Sequence, residues 1–341
     1  MRIAAALAVL VLAFTAHAQP GSPAGLPVEH IASSRLALVI NIESAESIAV
    51  GDYYRQARQI PERNLIRVRL PGKPRVLSAA QFAQLREQIL VQLDPSIDII
   101  ALAWTAPYAV ECNSLTAALT LGFDPALCAN TCQAGKPSAL YDSPSQHPYR
   151  DLGLRPAMLL PADPVLLGVE LIDRGVRSDG SLPQGTAYLL TTSDPLRNSR
   201  AAQFPANGLM GDAPLLVLNL RGDSLANRRD VMFYFTGIAH VAQLDTLHFL
   251  PGAIADHLTS AGGDLLGDTQ MSSLRWLQAG ATASYGTVSE PCNYWQKFPN
   301  VAVLLRHYLA GEPAVLAYWK SVAWPAQGVF IGEPLAAPYQ Q

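Results

Sequence analysis

Five short stretches of this chain are apolar with almost no alternation, and they limit the fold more than any other feature. They are Leu36 to Ile42 (LALVINI), Ile97 to Trp104 (IDIIALAW), Thr186 to Leu190 (TAYLL), Leu215 to Leu220 (LLVLNL) and Val231 to Thr236 (VMFYFT). A run of this kind is the signature of a strand covered on both faces. Between the first of them lie helix signals. Ser44 caps a helix that carries Glu46 in its first turn and stops before Pro61. Asn64 to Leu70 alternates as a strand, and Ser78-x-x-Gln81 is a capping box ahead of Phe82, Leu85, Ile89 and Leu93 at helical spacing. Strand, helix and strand in series predict an α/β fold, a mostly parallel sheet with helices on both faces.

The stretch Phe249 to Pro291 reads as a helix, a glycine turn, a second helix and a strand. Pro251 stands at a helix start, Ile254 and Leu258 share a face, and Gly262-Gly263 is the stop. The second helix begins at Asp268 or Thr269, and the small-residue strand Ala281 to Val288 exits into Ser289-Glu290-Pro291. Further helices are expected at Val165 to Arg174, Val301 to Leu309 and Pro313 to Val322, and a last strand near Gly328. Residues 35–341 form one expected domain. Its Pro/Cys-rich insertion at about 111–184 is expected as a disulfide-tied flap over the sheet edge, because ordinary connections run about 4–6 residues.

Residues 1–18 carry a basic start at Arg2, an apolar run and Ala16-His17-Ala18, the pattern of a cleavable signal peptide. The run is short of the roughly 20 residues a membrane helix needs, so no anchor is expected after cleavage, and the mature protein is expected to be periplasmic or secreted. Residues 19–34 read as a Pro/Gly-rich linker. With 50% hydrophobic and 15% charged residues the chain has ample material for a core, and a formal charge of −3 leaves no basic footprint for nucleic acid. Cys112, Cys128, Cys132 and Cys292 are expected as disulfides in an oxidising compartment. Three pairings are open: Cys128 with Cys132 would close locally, and Cys112 with Cys292 would staple two strand exits. A metal half-site at Cys128-x3-Cys132 lacks a completing pair.

Strand exits supply the candidate site residues, since in a parallel sheet they share one edge. Those for binding are Ser44, Tyr108, Ser193, Asp194 and Glu290. Those for acid/base work are His240, Asp194, Glu290 and His257. His257 follows Asp256, but neighbours on a helix point about 100 degrees apart, which favours a structural histidine. Glu290, held extended before Pro291, is weighed as an acid/base and, with a slight preference, as an acceptor for loop amides. No GxSxG elbow, Walker loop, HExxH or dinucleotide fingerprint is present, so neither cofactor nor metal is expected.

The blocks LALVINIESAESIAVGDYYRQARQIPERNL, LLTTSDPLRNSRAA, FYFTGIAHVAQLDTLHFLPGAIADHLTSAGG and GATASYGTVSEP resemble an exported family that co-occurs with exosortase, the proposed sorting transpeptidase of bacteria that make extracellular polysaccharide. The resemblance implies a genomic context and no activity. More distantly, the order of a strand, the PGAIADHLTS helix, the small-residue strand GATASYG and the late GVFIGEPL is similar to the core of gingipain-like cysteine peptidases of caspase-like fold, whose closing Gly-Asp-Pro block is here Gly332-Glu333-Pro334. Those peptidases carry His-Gly after one strand and Cys after the next. Here LLVLNL exits into Arg221-Gly222-Asp223 and VMFYFT into Gly237-Ile238-Ala239-His240, so the resemblance implies the fold without the dyad.

Three functions follow as expectations. The first is an accessory of exosortase-type sorting or polysaccharide export that binds exported protein or polysaccharide components. The second is a hydrolase with a relocated nucleophile, Cys112 or Cys292 with His240 or His257. The third is a carbohydrate-binding module using Trp104, Tyr108, Tyr294 and Trp295.

Overall fold

The structure, a computed structural model, describes residues 33–210 and 215–341. The expected signal peptide and all but the last two residues of the linker lie outside the described residues. The N-terminal half supplies β1 (Leu36–Asn41), α1 (Ala45–Ala57), β2 (Leu65–Val68), β3 (Val76–Leu77), α2 (Ala79–Leu90) and β4 (Ile99–Leu102). Then come β5 (Ala109–Val110), β6 (Asn113–Ser114), α3 (Leu115–Leu121), α4 (Pro125–Ala129), α5 (Pro148–Leu152), β7 (Ala157–Leu159) and α6 (Val165–Ser178). The second half supplies β8 (Gly185–Thr191), β9 (Gly208–Met210), β10 (Leu215–Arg221), β11 (Val231–Thr236) and β12 (Phe249–His257). It ends with α7 (Leu274–Ala279), β13 (Ala283–Thr287), α8 (Val301–Leu309), α9 (Ala314–Ser321) and β14 (Gly328–Gly332).

Eleven strands form one sheet in the order β2-β1-β4-β7-β14-β13-β12-β11-β8-β10-β9. Pairing is parallel from β2 to β7 and from β13 to β10. β14 runs antiparallel to β13, and the short β9 antiparallel to β10 at the rim. The fold is therefore α/β with a large, mostly parallel central sheet. Every position of β1, β4, β7, β11, β13 and β14 is buried, so both faces are covered by helices and loops. Local signals act as read: Ser44 accepts the amide of Ser47 at the start of α1, and Ser78 and Gln81 close the capping box of α2.

Several expectations need correction. Phe249–His257 is a strand between β11 and β13, not a helix. Ala253 to Leu258 are all at most 1% exposed, and a strand buried on both faces has no alternation to distinguish it from a buried helix. Pro251 and Gly252 lie where the β11–β12 register jumps from Val231/Phe249 to Phe233/Ile254, so they belong to a strand irregularity. Gly262 and Gly263 permit a close backbone approach to β13: a Cβ on Gly263 would lie 2.5 Å from the Gly286 carbonyl oxygen. Second, β10 is buried on one face only, with Leu216 at 36% exposure, because it lies next to the rim. Third, the disulfides join Cys112 to Cys128 and Cys132 to Cys292, with Cα separations of 5.2 and 5.1 Å, and neither of the two pairings weighed from spacing forms.

The stretch 111–184 is also not the expected flap, since β7 lies inside the main sheet and α6 packs against α1 and β12, while β5 and β6 join β3 in a small separate sheet, and the helix expected from Asp268 or Thr269 starts only at Leu274. The Cys132–Cys292 bridge closes 160 residues and Cys112–Cys128 closes 16. In the chain-entropy account these contribute about 5 and about 3 kcal/mol. The closing block Gly332-Glu333-Pro334 is an ionic anchor. Glu333, fully buried, accepts from the Tyr54 hydroxyl at 2.5 Å and pairs with Arg58, which also holds Asp179 at the end of α6.

Candidate functional site

Strand exits do come together. The Tyr108 hydroxyl after β4 donates to Asp264 after β12, Ser289 Oγ after β13 donates to the Cys112 carbonyl at 2.7 Å, and the Gly263 amide donates to the Thr287 carbonyl at 2.8 Å. The strand order reverses twice along this sheet. From β1 the chain goes outward to β2 and returns to β4 on the other side, and from β8 it goes outward to β10 and returns to β11. Each reversal opens a crevice at the carboxyl ends, the usual ligand position in such sheets.

The β1/β4 crevice is open. It holds a cleft of about 130 Å³ whose walls include Asn41, Ser44, Trp104, Thr105, Asp163 and Leu266. Its polar groups mostly serve the backbone. Asn41 accepts from the amides of Glu43 and Leu70, and Thr105 Oγ1 accepts from those of Ala162 and Asp163. Ser44, the expected binding residue, donates to Glu46 at 2.6 Å while capping α1. Hydrogen bonds from Ser44, the local backbone and Lys73 hold the Glu46 carboxyl down at about 2. Tyr108 is 4% exposed and is a strut between two exits; burial and the Asp264 carboxylate push its phenol well above its ordinary range.

The β8/β11 crevice is closed by the residues that follow β8. Thr192 Oγ1 donates to the Gly237 carbonyl at 2.6 Å, and the Asn198 amide bonds both backbone groups of Thr192. Asp194 accepts the Arg197 amide at 3.1 Å and its Nη1 at 2.6 Å, and Arg197 Nε donates on to Thr259 at 3.1 Å. Burial raises the Asp194 carboxyl, but the bonds from Arg197 outweigh it and the net shift is down. Ser193 is tied to Asp223 through both its amide and its hydroxyl. Beneath them Arg200, 1% exposed, donates to the Thr236 carbonyl at 3.0 Å and pairs with the fully buried Asp256 at 2.5 Å. Burial raises the Asp256 carboxyl against the pull of Arg200.

His257 lies on β12, on the opposite face from Asp256 as strand alternation requires. Its Nδ1 accepts from Trp276 Nε1 at 2.9 Å, and its Nε2 faces the Met271 carbonyl at 2.9 Å, so Nε2 carries the proton. Burial holds this ring neutral, with its pKa lowered to about 3. Both nitrogens are occupied, and the residue is 1% exposed. Of the other candidates, Glu290 accepts the Cys292 amide at 2.7 Å, the backbone role favoured from sequence. His240 is exposed and makes no hydrogen bond or ion pair among the described residues. It stands beside Asp268, Gln270, Ser272 and Arg275 in a cleft of about 310 Å³. The site thus brings Asp194 and the exits of β8, β11 and β12 together, while Ser44 and Glu290 belong to other parts of the edge.

Two alternatives meet direct obstacles. All four cysteines are disulfide-bonded, so neither Cys112 nor Cys292 offers a thiolate to His240 or His257. Trp104 and Tyr108 are buried at 3% and 4% exposure, whereas Tyr294 packs at a tilt against Trp324 with ring centroids 5.5 Å apart, so the four proposed aromatics form no shared platform. Among the described residues no group of three or more His, Cys, Asp or Glu is placed to hold a metal ion. Sequence reading passed over Arg197 and Arg200. Their signal was present in LRNSR, two arginines directly after a strand exit.

The chain matches no protein-family model and no curated protein. It is similar to a solved structure described as a protease, with a TM-score of 0.43 and 11% identity over 90% of this chain and 79% of that one. At that level no residue's role carries over.

Proposed function

We propose that the protein is an exported accessory of exosortase-type protein sorting or extracellular polysaccharide export, with a caspase-like strand arrangement that binds rather than cleaves. One observation carries the reading: the edge where the resemblance would place a dyad is saturated by the protein's own groups. Because Phe249–His257 is a strand, the two adjacent exits are Gly237-Ile238-Ala239 after β11 and Leu258-Thr259-Ser260 after β12. Neither has a cysteine, and Thr259 is engaged by Arg197 and by Gln270 at 2.7 Å. The disulfides are compatible with an extracytoplasmic location, and no helix among the described residues is long and apolar enough to cross a membrane. The ligand is an exported polypeptide or polysaccharide component that meets the His240 cleft, whose His240, Asp268 and Arg275 present both signs of charge.

The test combines two readouts. In a strain lacking the gene, a double variant Asp194→Asn, Glu290→Gln is expected to restore secreted-protein processing as the unaltered gene does, whereas His240→Ala at the ligand cleft is expected to weaken it, and the purified protein is expected to hydrolyse no peptide or glycan of a broad panel. A hydrolytic activity lost in the double variant or in His240→Ala would sink the reading. Thiol titration of the denatured, unreduced protein is expected to find no free sulfhydryl.

A further inference from the structure

His307, on α8, is placed between two carboxylates. Its Nδ1 lies 3.1 Å from Glu312 Oε1 and its Nε2 lies 3.1 Å from Asp142 Oδ1. A neutral imidazole has one N–H and one lone pair, so either tautomer aims a lone pair at a carboxylate oxygen. Only the doubly protonated ring donates to both. The two carboxylates differ in freedom. Glu312 is buried in the turn between α8 and α9, and its Oε1 also accepts from Lys320 Nζ, fully buried, at 2.6 Å. Asp142 belongs to an irregular segment, its side chain is 44% exposed, and its remaining charged partner is Arg306, itself 54% exposed. An exposed pair of that kind contributes about 0–1 kcal/mol.

That segment lies along the end of α9. The Ser138 amide donates to the Ala323 carbonyl at 2.9 Å and the Asp142 amide to the Lys320 carbonyl at 2.8 Å, while Gly135 sits against the Trp324 side chain. Asp142 has φ +51°, in the left-handed region that an L-residue occupies at a cost of about 1–2 kcal/mol. Its contacts therefore offset a backbone penalty, and the one contact that depends on a proton is the bond from His307. Burial raises the Asp142 carboxyl, but the bonds from Arg306 and His307 outweigh it, so the net shift is down and Asp142 stays ionised in mild acid.

We propose that Asp142, His307 and Glu312 form a proton-operated latch, holding residues 135–142 over the end of α9 while His307 carries both protons and releasing them when it loses one. The sign follows from the geometry. The latch is closed on the acidic side of the ring's titration and opens as pH rises through it. Histidine is the side chain whose charge ordinarily changes nearest neutrality. Arg306 and Lys320 are the cations that face the cluster, from α8 and α9, and burial lowers the Lys320 ammonium from its ordinary range.

Amide hydrogen exchange from pH 5 to 9 tests this, corrected for the intrinsic rate. The Asp142 amide is expected to lose protection about ten-fold across the His307 titration, the size of one charge-assisted hydrogen bond, while the Leu304 amide inside α8 keeps its protection. His307→Gln is expected to show low Asp142 protection at every pH. Asp142→Asn, which leaves the buried Lys320–Glu312 pair untouched, is expected to remove the pH dependence of Ser138 protection and serves if the first variant does not fold. Protection of Asp142 that is flat with pH in the unaltered protein, or a His307 ring that NMR finds neutral throughout, would overturn the latch.

Discussion

The two crevices of this sheet have the same topology and opposite fillings. At β1/β4 the returning chain leaves a cleft, and its polar residues satisfy nearby amides from the walls. At β8/β11 the residues after β8 fold back into the opening: Thr192 bonds across it to Gly237 and is braced by Asn198, Arg197 spans from Asp194 to Thr259, and Arg200 is sunk beneath against Asp256. A strand reversal thus supplies a place, and the loop that follows decides whether the place is a site or a plug.

If the β8/β11 side is sealed and the β1/β4 side is open, substitutions should cost unequal amounts. The largest effect is expected from acid. His257 has its folded pKa lowered to about 3 from the ordinary 6.5, so the unfolded chain binds a proton that the fold excludes. Stability is fully present above about pH 6.5 and falls as pH drops toward 3, by up to about 5 kcal/mol. Urea melts between pH 7 and 4 should show a shallower slope for His257→Gln, and identical slopes would mean the ring is not sealed. Next, Arg200→Met leaves the Asp256 carboxylate buried without its cation, an expected loss of about 3–5 kcal/mol that adding Asp256→Leu should largely reverse. A double variant as unstable as the single one would break the account of that pair.

Gly237→Ala comes third. A Cβ there would stand 1.9 Å from the Arg197 carbonyl oxygen, and forcing the plug apart should cost about 1–3 kcal/mol. On the open side the costs should shrink. Ser44→Ala removes the α1 cap, worth about 1 kcal/mol, and Asp163→Ala at the cleft wall should change stability by less than about 0.5 kcal/mol. Thermal melts of the last three variants in that order would sharpen the contrast. A Gly237→Ala protein as stable as Asp163→Ala would erase it.

Much of this architecture was legible in the residues. β1, β4, β8 and β11 are continuous apolar runs, α1 and α2 announce their starts through Ser44 and Ser78, and α6, α8 and α9 follow helical spacing. β12 was not legible, since Pro251 with Ile254 and Leu258 imitates a helix start and face. What separates the two readings is the neighbour on each side, β11 and β13, which lie elsewhere in the chain. For the site, the preference for Glu290 as an amide acceptor agrees with its bond to Cys292, because a residue held before proline has that amide within reach. The occupation of His257 by Trp276 and Met271 was out of view, as both partners are 14 or more residues away.

By itself the sequence determined what depends on near neighbours: which segments are buried, where several helices begin, and that four cysteines were available to pair. Tertiary structure alone decided which cysteines meet, that Arg200 lies against Asp256 and His307 between Asp142 and Glu312, and which crevice stays open. The physical reason is range. Capping and periodicity act over a few residues, whereas an ion pair, a disulfide or a plugged cleft joins groups that only the folded sheet brings within bonding distance.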